Sequence, residues 1–144
     1  MDLKVVNCVL AEYVRPEPGG KITAIGVPLV IQLPDVTKPC YPLTCFLQLQ
    51  GTETGEADLT FHLRDVEQKK DVASFKNKIK VPARKKEGKG KTFNVVQIQP
   101  LSRIVFGRMG EFDAIVTIDK TIKKTFKVQV VEVKQPRQGP AKAA

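Results

Sequence analysis

Apolar residues recur at every second position along this chain, and that period constrains its fold more than any other feature. Leu43, Cys45, Leu47 and Leu49 alternate with Thr44, Phe46, Gln48 and Gln50, and Leu59, Phe61 and Leu63 alternate with Asp58, Thr60, His62 and Arg64. Side chains of an extended chain point to opposite faces in turn, so each run reads as a strand with one buried face. Phe46 is an outward exception. The rhythm returns at Phe112, Ala114, Val116 and Ile118, and again at Phe126, Val128 and Val130. No stretch of about ten residues carries a period of 3.6, so helices are not expected. With turn signals between the runs, the pattern predicts an all-β, antiparallel, immunoglobulin-like sandwich of about eight or nine strands. It forms a single domain over residues 1–134, and residues 135–144, with Pro136, Gly139 and Pro140, read as a disordered tail.

The run from Leu3 to Leu33 organises the rest. It reads as two long strands joined by the turn Arg15–Gly20, where two prolines fix φ and Gly19-Gly20 permits positive φ. Apolar residues occupy both faces of Val5–Leu10, which predicts cover on both sides. In the second strand Thr23, Ile25, Val27, Leu29, Ile31 and Leu33 share a face. Gly26 and Pro28 mark a bend there, or a departure from one sheet to another.

Further along, the loop Pro34–Pro42 predicts a stiff crossover between sheets. The runs 43–50 and 58–64 predict a hairpin across Gly51–Gly55, and Leu101–Phe106 predicts a short strand. Ala73, Phe75, Ile79 and Val81, with Asn77 among them, face in, while Lys76, Lys78 and Lys80 face out. The segment 92–99 has mixed faces, which predicts a bulge or an edge.

The run Cys8-Val9-Leu10-Ala11-Glu12, a glycine-containing turn and Gly20-Lys21-Ile22-Thr23-Ala24-Ile25-Gly26-Val27 resemble the start of a bacterial family of small uncharacterised β-sandwich proteins. Pro34, Pro42 and Gly110-Glu111-Phe112 are similar to that family too, and the resemblance covers roughly residues 3–133. It implies a fold and carries no activity and no site residues. The basic second half is not part of what the resemblance implies.

Charge divides the chain. Residues 1–68 hold five Lys/Arg and nine Asp/Glu, a net −4, and residues 69–144 hold nineteen and six, a net +13. Such a split points to a polyanionic partner or a charged assembly surface. If segments 71–81 and 92–99 pair, Lys76, Lys78 and Lys80 join Arg84, Lys85, Lys86, Lys89 and Lys91 of the intervening loop in one cationic ridge, with Lys123 and Lys127 extending it. Counterion release would make such a ridge hold phosphate backbones with a steep salt dependence. Trp is absent and Phe75 and Phe93 read as core, so base-stacking platforms are not evident. Lysines on an outward face also guard an edge strand against aggregation.

Other chemistries find little support. Gly88-Lys89-Gly90-Lys91-Thr92 ends like a phosphate loop, but Lys85 stands where the first glycine belongs and a strand follows where a helix is needed. His62 is the only histidine, and no Gly-x-Ser-x-Gly is present. A triad is therefore not expected, nor is a metal site built on Cys40, Cys45 and His62. Cys8 and Cys45 read as core hydrophobes. Carboxylate pairs such as Asp58 with Asp65 or Glu53 with Glu56 read as solvated turn residues. No apolar run reaches about 18 residues and the start lacks a signal-peptide layout, so a cytoplasmic location is the expectation.

The expected function is a non-enzymatic binding or structural module without a cofactor, a component of a larger assembly that meets its partner through the cationic ridge. The alternative is nucleic-acid binding, to RNA or DNA backbone, by the same ridge. The partner is an acidic protein or a nucleic acid, and the −4 half of one copy could also meet the +13 half of another.

Overall fold

The computed structural model describes residues 2–81 and 92–134. Among them ten strands form three sheets, and no helix occurs. In chain order these are β1 (Leu3–Ala11), β2 (Tyr13–Glu17), β3 (Lys21–Ile25), β4 (Ile31–Leu33), β5 (Leu43–Gly51), β6 (Gly55–Asp65), β7 (Lys70–Val81), β8 (Phe93–Leu101), β9 (Gly110–Ile118) and β10 (Thr121–Glu132). The all-β class expected from the alternation holds. Ten strands replace eight or nine, and the antiparallel expectation has one exception, since β4 pairs with β10 in parallel.

A three-stranded sheet, β1-β5-β8, shares one core with a five-stranded sheet, β4-β10-β9-β6-β7, which curves as a half-barrel. Leu3, Leu43, Leu47 and Leu49 from the first sheet meet Leu59, Phe61, Leu63, Phe112 and Val116 from the second, all fully buried. Each such side chain stabilises the fold by about 2 kcal/mol through area removed from water.

The predicted Leu3–Val14 strand divides at Glu12. β1 stays in the three-stranded sheet, while β2 turns out, pairs with β3 and covers the outer face of that sheet. Ala11, Val14 and Phe46 form a second buried cluster there, with Val9, Ile22 and Ile98 against it. This cover explains the apolar residues on both faces of β1, the outward Phe46 and the mixed faces of β8, an edge strand of its sheet.

Two expected hairpins are absent for the same reason. β5 and β6 do not pair, and neither do β7 and β8; each connection crosses between the sheets. β5 and β8 carry apolar outer residues that lie under β2–β3, whereas β6 and β7 have polar outer faces, so they belong to different layers. Gly51 allows the first crossing, because a Cβ there would stand 2.8 Å from the Asp2 carbonyl oxygen and from Leu3. The expected strand at Leu101–Phe106 is also corrected. β8 runs through Pro100, which an edge strand tolerates, to Leu101, and residues 102–107 are loop. The proline-rich loop does cross from β4 to β5, as expected.

The register sorts the molecule into two ends. Gly51 lies opposite Leu3 and Phe93, Gly55 opposite Val81, and Ile118 opposite both Leu59 and Thr121, so these positions share one end. The opposite end carries Leu43, Asp65, Leu101, Gly110 and the loops around 34–42 and 102–109. There Cys40 donates its N–H to the Ile104 carbonyl at 2.7 Å, and Gly107 donates to Val36 at 2.8 Å.

That end also holds the one buried charge among the described residues. Asp65, 2% exposed, accepts Nε and Nη2 of Arg108 at 2.6 and 2.5 Å, and the backbone N–H groups of Glu67 and Gln68 at 2.9 and 3.0 Å. The guanidinium lies 5.3 Å from the centre of the Phe112 ring. A bidentate pair with its remaining lone pairs filled meets the condition under which a buried ion pair is tolerated. The Arg108 hydrogen bonds hold the Asp65 carboxyl at about 2, well below its ordinary 3.8, against the opposing effect of burial.

Candidate functional site

The three-stranded and five-stranded sheets meet along two seams, and the seams differ. At one, β7 lies beside β8. Asn77 on the inner face of β7 donates through Nδ2 to Oε1 of Gln97 at 3.2 Å and reaches Gln99 Oε1 at 3.5 Å. Side-chain amides thus bridge the sheets where no backbone ladder does.

At the other seam β1 lies beside β10, and no hydrogen bond joins them among the described residues. β10 pairs with β9 from Thr121 to Val130, but β4 covers its other side only at Val130–Glu132. On that side the edge from Ile122 to Val128 therefore has no neighbouring strand among the described residues, and there β1 pairs only with β5. Between these free edges lies a groove of about 220 Å³, lined by Cys8, Leu10, Phe126, Val128, Pro28 and Leu29 among others. Val27 and Leu29, which line its rim, are 50% and 96% exposed; Ile25, two residues before Val27, is 53% exposed, and Tyr13, paired opposite Ile25, 51%. A contiguous apolar patch beside a groove is a mark of an interaction surface.

The rim corrects the reading of residues 21–33 as one strand with a buried face. Only Ile31 and Leu33 are buried, at 1% and 4%. At Gly26 φ is +72°, a left-handed conformation, and a Cβ would collide with the Glu12 carboxylate, whose residue donates its N–H to the Gly26 carbonyl at 3.1 Å. Here β3 ends, and residues 27–29 run along the mouth of the groove before β4 joins the other sheet. The sequence held the signal in Gly26 and Pro28. The alternation of Val27 and Leu29 with a buried pair masked it.

The cationic ridge is present in part. Lys76, Lys78 and Lys80 project together from the outer face of β7, an edge strand. Glu56 on β6 lies 3.7 Å from Lys78 Nζ and 3.9 Å from Lys80 Nζ, and Lys76 borders a shallow depression with Asp58, His62 and Asp119. Glu56 thus offsets part of the charge of Lys78 and Lys80. The expected pairing of β7 with β8 is replaced by the amide-bridged seam. Arg84, Lys85, Lys86, Lys89 and Lys91 lie outside the described residues; the chain leaves for and returns from their segment at the Gly51 end. Lys127 sits 2.9 Å from Asp113, whose hydrogen bond holds the ammonium above its usual range. Lys123, with its neighbour Lys124, is exposed and has no ion-pair partner among the described residues.

The single histidine and two of the three cysteines have settled surroundings. His62 Nδ1 lies 2.8 Å from Asp71 Oδ2, and Arg64 Nε donates to the other oxygen at 2.9 Å. Burial pushes the Asp71 carboxyl up, but the hydrogen bonds from Arg64 and His62 outweigh it and leave the group below its ordinary range. Burial, then the Glu12 carboxylate, raises the Cys40 thiol to about 11. The neighbouring Cys8 thiol and burial hold Cys45 far above the ordinary range. Thiols so placed stay protonated near neutral pH and are poor nucleophiles.

Fold and surface together define an all-β protein of three sheets, with one seam between the two larger sheets bridged and the other open as an apolar groove. Residues 7–131 match the family of unknown function DUF6941, and the chain belongs to that family. No curated protein matches it.

Proposed function

We propose that this protein is a non-enzymatic binding module that takes a protein partner at the β1–β10 groove, as one component of a larger assembly. The observation that carries the reading is the juxtaposition of the groove with the exposed Ile25, Val27 and Leu29. Apolar surface of this extent costs free energy in water, and a partner that covers it removes that cost. The protonated thiols and the engaged histidine support the non-enzymatic part. Three free cysteines suit a reducing compartment, so a bacterial cytoplasmic setting is part of the proposal, as is an architectural kinship with immunoglobulin-like sandwiches.

A second reading, contact with an acidic protein or a nucleic-acid backbone, is favoured by the exposed row Lys76, Lys78 and Lys80. The shared Glu56 weakens it. A photo-crosslinking residue placed at position 29 or at position 76 in cells separates the two. Protein adducts at 29 and none at 76 support the groove. Adducts at 76 that nuclease removes, with none at 29, move the function to the lysine face.

A further inference from the structure

Resting on the groove reading, we propose that the partner enters as an added β-strand along the free edge of β10, residues 122–128, and that this strand is an extended segment of alternating apolar and acidic residues.

The backbone supplies the first half of the argument. An edge without a neighbour presents a row of unpaired N–H and C=O groups, which an extended peptide satisfies by continuing the sheet. β4 already occupies this side of β10 at Val130–Glu132. The position in line with β4, alongside residues 122–128, has no paired strand among the described residues and spans roughly 20 Å at strand rise, with Val27–Leu29 bordering it at Phe126–Val128. A strand placed there turns alternate side chains toward Phe126, Val128 and the groove, where Cys8 and Leu10 of β1 form the facing wall. About 220 Å³ receives one or two apolar side chains, and Leu29 stands beside them.

Charge supplies the second half. Lys123 and Lys124 lie on the open stretch of β10, and Lys4 lies on β1 at the same end. None of the three has an ion-pair partner among the described residues. An unpaired lysine on an open edge repels a copy of itself and attracts a carboxylate. Two β10 edges brought together antiparallel about residues 123 and 124 would set Lys123 of each against Lys124 of the other. The same lysines that discourage a second copy of this chain thus favour an acidic strand. A nucleic acid would gain little from apolar walls.

The test uses the full chain and two synthetic peptides that span the open edge, one alternating Glu with Val and the other Lys with Val, followed by backbone hydrogen exchange. The Glu–Val peptide is expected to slow exchange within residues 122–128 by about tenfold, a protection of the size one added ladder gives. The Lys–Val peptide is expected to leave it unchanged. Lys123→Glu with Lys124→Glu reverses the preference, and Leu29→Asp removes both responses. All three positions are exposed, and an unchanged Tm confirms that the variants fold. Equal protection by the two peptides, or no protection by either, overturns the proposal. If position 29 still cross-links to protein in cells in that case, the groove reading stands and only the added strand fails. If that cross-link is absent too, both fail.

Discussion

The two seams of this molecule are built from similar strands and solve opposite problems. At the β7–β8 seam Asn77, Gln97 and Gln99 point inward, and Asn77 donates to both glutamines. Polar groups part-way into a core cost free energy unless partnered, so these side chains fix one arrangement of the sheets. At the β1–β10 seam the facing residues are Cys8, Leu10, Phe126 and Val128, with no donor or acceptor to join them. Apolar walls that do not meet leave a groove. A seam that only had to be closed could have used the amide solution twice, and the proposed function takes the open one as the place for another molecule.

The bridged side should carry the largest stability effects. Phe61 stacks on Phe75 at 5.3 Å between β6 and β7, and Phe61→Ala is expected to cost about 4 kcal/mol in denaturant unfolding. Asp65→Ala leaves Arg108 without its partner and is expected to cost about 3 kcal/mol. Its pH signature follows from the depressed carboxyl. The stabilisation is complete above the ordinary value near 3.8 and is lost as pH falls toward about 2, and Asp65→Asn removes that acid-dependent part. Unfolding midpoints measured across that range check the slope.

Smaller effects sharpen the contrast. Asn77→Ala removes the seam's bridging donor and is expected to cost about 1 kcal/mol, with faster hydrogen exchange in β8. Across the molecule Leu29→Asp is expected to change stability by no more than about 0.5 kcal/mol, because Leu29 is 96% exposed, while it abolishes the protection that the Glu–Val peptide gives. A large destabilisation would show that residues 27–29 serve the fold. Replacing Lys76, Lys78 and Lys80 with Gln should leave stability within about 0.5 kcal/mol and leave groove binding intact.

Much of the fold was legible because a strand's period is local. Leu59, Phe61 and Leu63 face in and Thr60, His62 and Arg64 face out, as the alternation requires. Pairing was less legible, since it depends on which outer faces are covered. Phe46 and Ile98 pack beneath β2–β3, and nothing in their own runs says that a hairpin from the start of the chain lies over them. The groove was hidden by the same limit. Val27 and Leu29 continue a pattern that ends in buried Ile31 and Leu33, and only the turn at Gly26 separates a rim residue from a core residue. The lysine row was plain in the sequence, but its neutralisation was not, because Glu56 meets Lys78 and Lys80 only through the β6–β7 register.

The most direct test of an open seam uses the native cysteines. Cys8 lines the groove, whereas Cys40 and Cys45 are 8% and 0% exposed. The native protein is treated with a small maleimide, and modification at each cysteine is followed by peptide mass spectrometry. Rapid labelling of Cys8 while Cys40 and Cys45 stay protected, slowed when the Glu–Val peptide is present, is the predicted result. Labelling of all three at one rate, or Cys8 as protected as Cys45, would show that the β1–β10 seam is as closed as the other and would contradict the account.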